Sequence, residues 1–104
     1  MLCNATLLRV DPPSPAPAGE PISVRCALAA PTANELRWLA AAGLTASAVL
    51  YLPMTPGAPA IVAADDRLLV RLDGQLSTAY VAIHVSDRVG EAIRYRQIFL
   101  ASPP

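Results

Sequence analysis

The sequence predicts a mainly β protein: a small antiparallel barrel or partly closed sheet of five to six short strands with one short helix, in the size class of SH3 and OB barrels. Three observations carry this. Apolar and polar residues alternate through several short runs, turn signals recur about every ten residues, and a single segment has both helix start and stop signals. At 104 residues the chain is one domain, 1–104, with proline-rich connectors at 11–21 and 53–60.

Ala5–Val10 reads as the first strand. Asp11–Pro21 holds Pro12, Pro13, Pro15, Pro17, Pro21 and Gly19, so it cannot pair as a central strand and reads as an extended, polyproline-like surface connector. Ile22–Leu28 alternates, with Ile22, Val24, Cys26 and Leu28 on one face, as a half-buried strand does. Thr32 then opens a helix as N-cap, with Glu35 three residues on completing a capping box and Gly43 as the stop. Leu36, Leu39 and Ala40 fall on one side of that helix, flanked by Trp38. Thr45–Leu52 is again strand-like, with Ala46, Ala48, Leu50 and Leu52 opposite Ser47, Val49 and Tyr51.

After the second connector, Ile61-Val62 reads as a short extended piece and three strands follow. Arg67–Leu72 ends at Asp73-Gly74, a turn dipeptide. Thr78–Ser86 sets Tyr80, Ala82 and His84 against Val81, Ile83 and Val85, and Ala92–Leu100 sets Tyr95, Gln97 and Phe99 against Arg94, Arg96 and Ile98. Asp87–Glu91 reads as the five-residue hairpin between them.

Eight Arg, no Lys and eight acids leave no net charge, and neither half of the chain is basic or acidic. That weighs against a protein whose main work is gripping nucleic acid. The longest uncharged run, Trp38–Ala64, is broken by Pro53, Pro56, Gly57 and Pro59. Its unbroken part would span about 22 Å as a helix, short of a roughly 30 Å hydrocarbon core, so no membrane helix is expected. The first residues lack the charged and apolar regions of a secretory signal. Asn4-Ala5-Thr6 fits the glycosylation triplet, which matters only in a secreted eukaryotic chain. Cys3 and Cys26 match no metal or redox spacing and read as two buried thiols, a disulfide being the alternative.

Sites of chemistry are sparse. His84 is the only histidine, and a general base needs a nucleophile and an orienting carboxylate beside it. Its simpler reading is a strand residue at the surface or at a subunit contact. Ligands for a metal are too few, and Asp65-Asp66 reads as a turn cap. The five glycines stand singly, so no phosphate loop exists, and Ser-centred nucleophile motifs are absent. No cofactor, no metal and no enzymatic activity are therefore expected. Arg94 and Arg96, near Arg88, form a basic stripe that Asp87 and Glu91 are placed to neutralise.

The strand order resembles that of the small head-completion, or head–tail connector, proteins of long-tailed bacteriophages and phage-like particles. Ala5–Val10 and a variable loop lead to Glu20-Pro-Ile-Ser-Val-Arg-Cys-Ala-Leu28, similar to the family's second strand. Asp65-Asp-Arg-Leu-Leu-Val-Arg-Leu-Asp-Gly74 looks like its strand entry and Asp-Gly turn, and Ala79–Ser86 with Ile93–Leu100 looks like its closing hairpin. The capped helix Thr32–Gly43 and the extra proline depart from the commonest form.

The resemblance implies a homo-oligomeric ring at the neck of a virion, assembled in the host cytoplasm. Such a ring docks portal or adaptor and tail proteins and retains packaged DNA, which passes its channel without specific binding. Subunit-interface candidates are then Trp38, Leu39, Tyr51, Met54, Arg94 and Arg96. The competing expectation is a small-barrel binding module for oligonucleotide or peptide, which needs an aromatic-plus-Arg platform on one sheet face.

Overall fold

A computed structural model describes residues 2–15, 17–54, 62–90 and 94–103. Six strands run in the order β1 (Ala5–Asp11), β2 (Pro21–Ala29), β3 (Ala48–Pro53), β4 (Arg67–Leu72), β5 (Ser77–Val89) and β6 (Arg94–Ala101), with helix α1 (Ala33–Ala41) between β2 and β3. They close into an antiparallel barrel ordered β1-β2-β3-β6-β5-β4, in which β4 returns to pair with β1. Closure gives every strand two neighbours, although Ile83–Val89 of β5 pairs with β6 alone and Pro21–Cys26 of β2 with β1 alone. The long β5 makes this possible: Ser77–Val81 pairs with β4, and Val81–Val89 pairs with β6.

Ala5, Leu7, Cys26, Leu50, Leu68, Val70, Ile98 and Leu100 fill the barrel interior. A second, smaller cluster lies outside the wall, where α1 sits on β3, β6 and β5: Leu39, Ala46, Val49 and Phe99, edged by Leu44, Tyr51 and Ile83. Strands β3 and β6 are therefore buried on both faces, which explains the near-continuous apolar run Ala48–Leu52.

Local signals hold at several places. The Thr32 side chain accepts from Glu35 N (3.2 Å) and Thr32 N donates to Glu35 Oε1 (2.8 Å), the expected capping box. Gly43 and Gly74 adopt positive φ (76° and 77°), as their turns require. Asp66 Oδ2 accepts from Ala63 N at 2.9 Å, so that acid does cap a turn.

Other expectations need correction. The first connector is not a continuous extended run: it turns at Ser14–Pro15, because it joins two adjacent antiparallel strands and Gly19 N donates to Asp11 Oδ1 at 2.7 Å. A Cβ at position 19 would collide with the Val10 carbonyl. Strand β3 starts at Ala48 rather than Thr45, and Ala46 joins the outer cluster instead of the barrel interior. Strand β5 runs on past the expected start of the last hairpin, since Asp87, Arg88 and Val89 still pair with Arg96, Tyr95 and Arg94. Residues 91–93, 55–60 and Ile61 lie outside the described residues, and with them most of the second connector.

The alternation in β5 also breaks. Its register with β6 slips between Ala82 and His84, a β-bulge that puts two consecutive residues on one side. Ala82 and Val85 pack inward, whereas Ile83 joins the outer cluster and His84 meets the rings of Trp38 and Phe99. The expected set Tyr80, Ala82 and His84 thus does not share a face.

Candidate functional site

A groove of about 280 Å³ opens between the first half of α1 and the outer face of β5–β6, lined by Asn34, Glu35, Trp38, His84, Ser86, Arg88, Gln97 and Phe99. Its aromatic wall is built from three elements. Trp38 from α1 meets the His84 imidazole edge-on, centroids 4.9 Å apart at 77°, and Phe99 of β6 lies 5.8 Å from Trp38 and 5.9 Å from His84. Such edge-to-face contacts follow from the ring quadrupoles. Trp38 remains 52% exposed, an unusual allowance for the largest apolar side chain.

The polar side is a chain of three residues. Glu35 spends one carboxylate oxygen on the cap and accepts from Gln97 Nε2 with the other, at 2.6 Å. Gln97 is nearly buried, and its Oε1 accepts from Arg88 Nε and Nη2, both at a long 3.4 Å. The amide thus bridges a carboxylate to a guanidinium that keeps spare donor capacity. Burial, and then the Glu35 carboxylate, push the neighbouring Tyr51 phenol above its ordinary pKa.

His84 touches rings. Among the described residues no hydrogen bond joins it to Ser86 or to an acid, and no group of three His, Cys, Asp or Glu side chains converges on a metal-sized point. The groove sets mutually tilted aromatic rings beside a carboxylate, an amide and a guanidinium.

The six sequence-derived candidates scatter. Trp38 lines the groove. Leu39, one residue on, is 1% exposed and belongs to the helix–barrel contact, so it is not available to a neighbouring subunit. Tyr51 and Tyr95 stack edge-on at 5.6 Å, half-buried beside that contact. Met54 is half-buried, its N–H donating to Arg94 O at 3.0 Å, and Arg94 is exposed. Arg96 is locked: it grips Asp87 through Nε (2.6 Å) and Nη2 (3.0 Å), and its Nη1 donates to Val62 O at 2.8 Å. The basic stripe is therefore neutralised at Arg96, and that guanidinium holds the Asp87 carboxyl below the usual carboxylate range.

A second clamp had no sequence signal, being formed by residues 48 apart. Arg25 grips Asp73 through two bonds (2.6 and 2.8 Å) and also donates to Thr6 Oγ1 and Cys3 O, tying β2 to the β4–β5 turn across the start of β1. Beside it the Asn4 side chain pairs with both backbone groups of Leu28, extending the β1–β2 ladder. The two cysteines are free thiols, Cys26 buried and Cys3 half-buried, and burial pushes the Cys26 thiol up to about 11. Groove residues His84, Ser86 and Arg88 share a face by alternation, and Gln97 pairs with Ser86, but the register of β5 on β6 and the helix that covers this face have no local signal.

No family model, no curated protein and no solved structure matches this chain.

Proposed function

We propose that this chain is a structural subunit that forms an oligomeric ring at the head–tail junction of a phage-like particle, closing the head and docking the tail. The observation that supports this most is the surface of α1. Leu36 and Trp38 remain 42% and 52% exposed on a helix already anchored by Leu39, and Trp38 lines the groove, on a closed barrel. A closed barrel offers only short edge segments for strand addition, so association rests mainly on side-chain surfaces and loops. Zero net charge suits a channel wall that DNA slides past, because a strongly positive wall would hold phosphates.

Sedimentation and electron microscopy of the purified chain, alone and with its parent particle, test the reading. Closed rings, or density beneath the portal, are the expected result. A chain that stays monomeric and never joins a virion refutes it. The groove also favours a second reading, a peptide-binding module, since Arg88 and the accessible rings of Trp38 and His84 line it together. Oligonucleotide is the weaker ligand, because the groove sets the Glu35 carboxylate against its single guanidinium, Arg88. Salt-dependent affinity for single strands is the measurement that would reverse that ranking.

A further inference from the structure

The groove and the first proline-rich connector stand on opposite walls of the barrel. The connector joins β1 to β2, whereas the groove lies over β6 and β5, three places away in a ring of six strands. Pro12, Pro13, Ser14, Pro15 and Pro17 are exposed, and the loop is pre-ordered by the Asp11–Gly19 bond. We propose that this proline turn of one copy docks in the Trp38–His84 groove of the next, a head-to-tail contact that propagates around the ring; the inference rests on the ring reading above.

Four observations argue for this occupant. Proline-rich segments recognise aromatic-lined grooves, because rigid pyrrolidine rings pack on flat rings with little entropy left to lose. The groove offers that wall together with the spare donors of Arg88 for the carbonyls that proline leaves unpaired. Its volume, near the low end of the roughly 300–1,000 Å³ of ligand pockets, suits one turn of chain rather than a larger body. Charge is complementary too: Glu20 at the end of the connector is exposed, and Arg88 is the exposed cation of the groove, whereas Glu35 is already held by Thr32 and Gln97.

Nine residues, Pro12–Glu20, leave and rejoin adjacent strands, so their tip reaches at most about 15 Å. Complementary surfaces on opposite walls are heterologous, and heterologous contacts close into rings when the rotation per subunit allows.

The only tryptophan of the chain is the reporter. A variant with Pro12, Pro13, Pro15 and Pro17 replaced by Ser keeps its own groove empty. It is titrated with a synthetic peptide of residues 11–21 while Trp38 emission is followed, and sedimentation compares it with the wild type and with Trp38→Ala. Saturable peptide binding that shifts Trp38 emission is expected, and both variants should self-associate about tenfold more weakly or worse, as on loss of an aromatic anchor. Unmoved emission overturns the inference, as does equal binding of an unrelated proline-rich peptide, which would assign the groove to a foreign partner. If the four-Ser variant still forms rings, the arm contact fails and the ring reading stands. If the peptide binds but the wild type is monomeric under every condition, the contact between copies is overturned together with the ring reading, and the groove takes the segment only as a free peptide.

Discussion

Replacing Leu39 by Ala tests whether one side chain holds the helix to the barrel. Leu39 is 1% exposed, the buried residue of a nine-residue helix, and it packs in a cluster with Ala46, Val49 and Phe99. A helix this short does not persist unaided in water. Truncation removes three carbon atoms, a transfer loss of roughly 2.4 kcal/mol at about 0.8 kcal/mol per buried methylene. A residual cavity raises buried Leu→Ala losses to about 3–5 kcal/mol. Because the helix lies at the surface, with Leu36 and Trp38 exposed, it can settle into the gap, and about 3 kcal/mol is expected. In a domain of this size that lowers Tm by roughly 12–20 °C. Urea unfolding followed by Trp38 emission, which reports the helix, and by far-UV circular dichroism, which reports the barrel, measures it. Leu36→Ala, at 42% exposure, should cost under about 0.5 kcal/mol. A Leu39→Ala loss below about 1 kcal/mol, or one equal to that of Leu36→Ala, would refute this account of the contact.

The other predictions concern polar links. Glu35→Ala removes the reciprocal cap bond and leaves the nearly buried Gln97 amide without its acceptor, so it should destabilise by about 2 kcal/mol, whereas Thr32→Ala, losing one cap bond, should cost about 1 kcal/mol; thermal melts compare them. Stability should fall at both ends of the pH scale. Side-chain bonds from Arg25 and Arg96 hold Asp73 and Asp87 below their ordinary pKa, so the stability they add is present above the unfolded carboxylate value near 4 and is lost as pH drops through the lower folded values. Asp73→Asn and Asp87→Asn should flatten that acid limb in melts from pH 6 to 2. The buried Cys26 thiol is raised to about 11, so above the ordinary thiol range the unfolded chain ionises first and stability declines up to that value, a loss that Cys26→Ala should remove.

What was legible in the sequence is what short stretches decide alone. Thr32 and Glu35 are three residues apart, and their capping box forms from that spacing whatever else surrounds it. Asp73-Gly74 turns because glycine alone takes the φ of 77° there without strain. Strand β4 alternates because one face meets the barrel interior and the other does not. Leu39 and Leu36 look equivalent on a helical wheel, yet only Leu39 is buried, since the wall beneath α1 decides which turn it touches.

The same limit explains the groove. A period-two pattern carried through β5 puts His84 with Ala82, but one bulge near Ile83 reverses the parity, and nothing local to that strand signals it. Arg25 and Asp73, or Gln97 and Glu35, meet across 48 and 62 residues because the closed strand order brings their elements together. By itself the sequence determined the class of the fold, the ends of its helix and most strands, and the balance of its charge, all matters of spacing and composition. Only the tertiary structure decided which apolar residues stay uncovered and which polar groups converge. Those outcomes depend on how the barrel closes, and closure is a property of all six strands at once.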